Sequence, residues 1–84
     1  MTATEFNAKW KPFIEKGFED QGLEIDNEDV TEYLDELFED VTKLDPNLRF
    51  SQIKLKFGRA RAYIDCRLLH VGTVEKYIDN LLNK

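Results

Sequence analysis

A single cysteine, a single histidine and two prolines are all this chain holds of the residues that most often staple, ligate or punctuate a small protein. Cys66 alone excludes an internal disulfide, and there is neither a C-x-x-C pair nor a Cys/His cluster to hold a structural metal. No apolar run approaches the roughly 20 residues of a membrane span. The N-terminal MTATEFNAKW lacks the basic start and apolar middle of a signal peptide, so a cytoplasmic protein without membrane contact is expected. The four glycines form no phosphate-binding loop, and neither a cofactor nor a metal is expected. Packing alone must hold the fold, and 84 residues allow one small core.

What is present suffices for that core. Hydrophobic residues make up 42%, with six Phe, three Tyr and one Trp, which argues against disorder and for a single domain over residues 1–84. Charge is distributed unevenly. Residues 1–17 are net +1, residues 18–45 carry twelve acids against Lys43 for net −11, and residues 46–84 are net +5. No linker, repeat or low-complexity segment accompanies these shifts, so the polarity belongs to secondary-structure elements of one unit.

Phe6, Trp10, Phe13, Ile14 and Phe18 recur at helical spacing and predict a first helix over residues 4–21, kinked or begun near Pro12 and closed by Gly22. Val30, Leu34, Leu37, Phe38, Val41 and Leu44 predict a second helix, capped by Asp26 or Asn27 and ended by Asp45-Pro46. Over residues 53–64 the period becomes two. A Gly58-Arg59 turn there would pair Phe57 with Ala60, Leu55 with Ala62 and Ile53 with Ile64 on an apolar face, and Lys54 with Tyr63 and Lys56 with Arg61 on the other. Thr73 is the expected cap of a third helix, with Val74, Tyr77, Ile78, Leu81 and Leu82 as its stripe. The order helix-helix-strand-strand-helix predicts a small α+β domain whose helices pack on one face of a β-hairpin and leave the cationic face open.

The stretch QIKLKFGRARAYID, residues 52–65, resembles the hairpin of a family of short uncharacterised phage and prophage proteins with the pattern V-K-x-K-F-G-x-L-R-F-Y. Lys54, Lys56, Phe57, Gly58, Arg61 and Tyr63 match it, while Ala60 and Ala62 stand where leucine and another large apolar residue are usual. WKPFI, residues 10–14, is similar to the Trp-x-Pro element that recurs upstream in that family. The resemblance implies a phage or prophage origin and no particular activity.

Two surfaces are candidates for binding. On the hairpin, Lys54, Lys56, Arg59, Arg61 and Tyr63 share the cationic face; Phe50 joins them as a hot spot unless a bulge near Ser51 turns it inward. Such a face suits an as yet unidentified protein partner. A base could also stack on Tyr63, but the −11 segment argues against direct nucleic-acid binding and leaves a small RNA or DNA binder as the weaker reading. On the second helix, Glu28, Asp29, Glu32, Asp35, Glu36, Glu39 and Asp40 form an acidic row. It could be a solvated helix face, or it could imitate phosphates and inhibit a nucleic-acid or defence enzyme. Catalysis has little to rest on. No carboxylate pair is marked as held in a cleft, and Cys66 and His70, four apart, lie in a stretch that reads as strand end and loop with no third ligand. A non-enzymatic binding protein is expected, with its oligomeric state open.

Overall fold

A computed structural model describes residues 1–15 and 22–84. Helix α1, Ala3–Lys9, opens with a capping box in which the Thr2 hydroxyl accepts from the Glu5 N–H and the Glu5 carboxylate accepts from the Thr2 N–H. It is far shorter than the periodicity predicts. Pro12 lacks the N–H that a continuing helix needs, so the chain turns through a single 3₁₀ turn, Lys11–Phe13, and is extended by Ile14. Phe18 and the end of the predicted first helix lie outside the described residues.

The helix end that Gly22 is expected to close lies outside the described residues, and Gly22 itself lies in a strand. With Leu23 it forms a short strand β1, Gly22–Leu23, parallel to strand β2, Arg49–Lys56. Its φ of +91° belongs to the left-handed region, and a Cβ there would lie 2.5 Å from Asn7 Oδ1, so only glycine fits without displacement. Helix α2, Glu28–Leu44, connects the two strands as the crossover of a β-α-β unit. The Asn27 carboxamide oxygen caps it, and Asp45 ends it before Pro46.

Strand β3, Arg59–Asp65, returns antiparallel to β2, giving the sheet order β1-β2-β3. The register differs from the expected one. The two-residue turn is Phe57-Gly58, with φ of +55° and +75°, the left-handed pair that a type I′ turn requires. Lys56 therefore pairs with Arg59, Lys54 with Arg61 and Gln52 with Tyr63, while Leu55 pairs with Ala60 and Ile53 with Ala62. The slip spans two residues, so the apolar and cationic faces survive it. Helix α3, Val71–Leu82, follows; its cap is His70, whose Nδ1 accepts from the Thr73 N–H, rather than Thr73 itself.

One cluster of buried residues unites these elements, with Phe6 and Trp10 from the first segment, Leu34 and Phe38 from α2, Phe50 and Ile53 from β2, Ala60 and Ala62 from β3, and Val74 and Ile78 from α3. Its centre is aromatic. Phe38 and Phe50 ring centroids lie 5.1 Å apart, and Trp10 meets Phe38 edge-on at 5.5 Å. Such pairs contribute about 0.5–1.5 kcal/mol each beyond their buried area. The fold is thus the expected α+β arrangement with an additional short parallel strand.

Both outer strands are sealed by side chains from helices. Asn7 treats Leu23 as a strand would, its Oδ1 accepting from the Leu23 N–H at 2.7 Å and its Nδ2 donating to the Leu23 carbonyl at 3.0 Å. On the far edge, the Ala60 N–H donates to Asp79 Oδ1 at 2.7 Å and the Ala62 N–H to Glu75 Oε1 at 3.0 Å. The methyl side chains of Ala60 and Ala62 let α3 come this close. Asp79→Ala should leave the Ala60 N–H buried without an acceptor and destabilise the fold by about 1–3 kcal/mol, read as a lower urea midpoint with an unchanged slope. Asp79→Asn, which keeps a carbonyl oxygen, should recover part of the loss.

Candidate interaction site at the hairpin tip

The turn register decides which side chains the hairpin presents. Cross-strand pairing places Lys54, Lys56, Arg59 and Arg61 on one face, with Tyr63 half-exposed beside them. Two like-charged pairs result, Lys54 with Arg61 and Lys56 with Arg59, and each such pair is destabilising by up to about 1 kcal/mol. Helix α3 offsets part of this, since Glu75 Oε2 lies 3.6 Å from Arg61 Nη1.

Phe50 leaves this face. A bulge between Phe50 and Gln52 rotates it inward, where it is fully buried against Phe6 and Phe38. The expectation that it is a surface hot spot is corrected accordingly. Ser51 occupies the bulge and donates its hydroxyl hydrogen to Glu15 Oε2 at 2.7 Å.

Phe57 takes the exposed position instead. Expected inside, it sits at the tip with 92% of its surface in water, and Lys56 Nζ lies 5.7 Å from its ring centroid. Its backbone is left-handed, a conformation that costs a residue with a Cβ about 1–2 kcal/mol and that is abnormal for a bulky side chain. The turn would be satisfied by Asn-Gly. The tip therefore combines a strained aromatic with Lys56 and Arg59 next to it and Leu55, also exposed, on the opposite face of β2. A positional signal was available in the sequence: sliding the two-residue turn one place back leaves the alternation intact and puts Phe57 outside.

The acidic row on α2 is divided by its neighbours. Asp35 accepts from Trp10 Nε1 and from Lys9 Nζ, both at 2.9 Å, and Lys9 also pairs with Glu39. Asp40 lies 4.0 Å from Lys43. Glu28, Asp29, Glu32 and Glu36 make no ion pair among the described residues and face solvent. The two carboxylates raise the Lys9 ammonium above its ordinary value, Glu39 more than Asp35. Burial pushes the Tyr33 phenol up, and the charge that Tyr77 carries when it ionises adds to this; the two rings stack with centroids 4.3 Å apart.

Among the described residues no group of three or more His, Cys, Asp or Glu side chains could hold a metal, and no helix is long and apolar enough to cross a membrane. Cys66 is half-buried, its S–H donating to Asp45 Oδ2 at 3.6 Å, while His70 is occupied as the cap of α3. No family model, curated protein or solved structure matches the chain.

Two outcomes are expected. Phe57→Asn relieves the left-handed strain and should raise stability by about 1 kcal/mol, seen as a higher urea midpoint. Lys9→Met removes the partner of Asp35 and Glu39 and should lower stability at neutral pH. Because the folded state holds the Lys9 proton more tightly, its contribution is complete below the ordinary lysine value of 10.5 and disappears as pH rises through the raised one. Tyr33 loses stability in the same alkaline direction. The readout is therefore the difference between wild type and variant, which should close above that range.

Proposed function

We propose that this chain is a non-enzymatic binding protein, of phage or prophage origin on the strength of its hairpin motif, that docks the hairpin tip against an acidic patch on a partner protein. Phe57 enters an apolar recess, and Lys54, Lys56, Arg59 and Arg61 face the carboxylates around it. The observation that supports this most is Phe57, whose bulky ring is fully presented to water on a backbone that folding alone disfavours. Aromatic and arginine side chains dominate interface hot spots, and the charge pattern steers encounter with an acidic surface.

Nucleic acid fits less well. Four cations, one of them paired with Glu75, give a short track, and the acidic side of α2 repels phosphates from much of the molecule. A protein surface needs only a local complement.

The test is affinity capture from cell extract with the wild type, Phe57→Asn, Lys56→Glu/Arg59→Glu, and Glu32→Gln/Glu36→Gln, with binding remeasured between purified components. The wild type and the α2 variant should retain the same protein, and both hairpin variants should lose it by about tenfold or more in affinity. Equal capture by all four chains of a protein other than this chain itself overturns the reading. Loss only in the α2 variant transfers the site to the acidic row, and retention of single-stranded oligonucleotide with a steep salt dependence makes the chain a nucleic-acid binder.

A further inference from the structure

The large hydrophobic side chains that the described surface exposes are not scattered. Of six, Leu55, Phe57 and Tyr63 belong to the hairpin, Leu44 and Leu68 stand elsewhere together, and Tyr77 is stacked on Tyr33. Leu44 and Leu68 line one groove of about 650 Å³, between the end of α2 and the turn that follows β3. That volume is in the range of sites that bury a ligand-sized group.

Among the described residues the walls of this groove carry Asp45 and Asp65 with the cation Arg67, and Arg49 stands across from Asp65 on β2. Asp45 is held in place, accepting from the Asn47 N–H at 3.0 Å and from Cys66. The C-terminal end of α2 adds the negative pole of a 17-residue helix. Lys43, in the same last turn, lies near Asp40. An aromatic ring between the two leucines, with cations reaching Asp45 and Asp65, would complement the groove in shape and sign. The chain itself carries such a group at the hairpin tip.

We propose that the partner of the hairpin tip is a second copy of this chain, with Phe57 of one molecule seated between Leu44 and Leu68 of the next and Lys56 and Arg59 facing Asp45 and Asp65. This rests on the reading of the tip as a docking element and names its acidic partner. Tip and groove stand at opposite ends of one hairpin: the Lys56–Arg59 pair closes it at the turn, and the Arg49–Asp65 pair lies at its base, roughly 23 Å away for an eight-residue strand. A molecule therefore cannot satisfy its own groove. The contact is head-to-tail and repeats as an open chain or a ring rather than closing as a two-fold dimer.

Sedimentation equilibrium over a concentration series tests this on the full chain. Wild type should show a mass that rises with concentration and falls with added salt. Phe57→Asn at the tip and Leu44→Ser/Asp65→Lys in the groove change exposed positions; circular dichroism should show both folded, and each should weaken association by about thirtyfold. An equimolar mixture of the two variants should form a dimer and stop there, because one intact tip meets one intact groove. Wild type that stays monomeric into the millimolar range overturns the proposal, as do variants that associate like wild type or a mixture that does not pair. If wild type is monomeric but Phe57→Asn still loses a captured protein, self-pairing fails and the tip survives as a docking element. If Phe57→Asn changes neither association nor capture, both fail.

Discussion

Phe50 and Ile53 are both fully buried, yet they stand three residues apart on one strand. A regular strand sends residues of odd spacing to opposite faces, so β2 must break its alternation once. The bulge at Ser51 is that break. N-terminal to it, Phe50 enters the aromatic centre against Phe6 and Phe38, and its carbonyl accepts from the Glu15 N–H. Beyond the bulge, Ile53 keeps to the core while Lys54 and Lys56 face out. Without it, either a phenylalanine would be lost from the centre of a small core or the cations would turn into it.

The same strand organises both of its neighbours. On one side it accepts the short parallel strand β1, and on the other the antiparallel β3. A three-stranded sheet has two outer edges, and exposed edges invite pairing with other chains. Here Asn7 closes one edge and Glu75 with Asp79 closes the other, each through side chains that imitate strand partners. These contacts occupy the Leu23 backbone and the Ala60 and Ala62 amides, groups that an added strand would otherwise use.

The sequence made some of this visible and concealed the rest for identifiable reasons. The extent of helix α2 was legible because apolar residues keep one period between Asp26-Asn27 and Asp45-Pro46, although Leu44, the last of them, is exposed. The two faces of the hairpin were legible from alternation, which a two-residue slip preserves. Alternation alone did not decide between the two turn positions. Gly58 can serve as the first residue of a II′ turn or the second of a I′ turn, and the rule that bulky residues avoid left-handed backbone favoured the first. Strand β1 was invisible because two residues show no period, and its Gly22 reads equally as a helix end. Trp10 and Phe13 suggested that α1 continues, whereas Pro12 folds them back onto one another with ring centroids 5.3 Å apart. Phe50 was ambiguous from alternation alone, since only three-dimensional packing supplies the demand for a bulge.

The turn is also where the sequence departs from what stability alone favours. Folding alone would place asparagine at position 57: it tolerates the left-handed region and exposes no ring. The structure instead accepts about 1–2 kcal/mol of backbone strain there and two repelling cation pairs along the adjoining strands. None of these choices improves the core, from which Phe57 is remote. They share one property: each can be offset by an outside surface that offers an apolar recess and carboxylates. Elsewhere the chain matches such demands internally, with Asp79 and Glu75 for the edge amides and Lys9 for Asp35 and Glu39. At the tip no such internal match is present among the described residues beyond the Glu75–Arg61 contact.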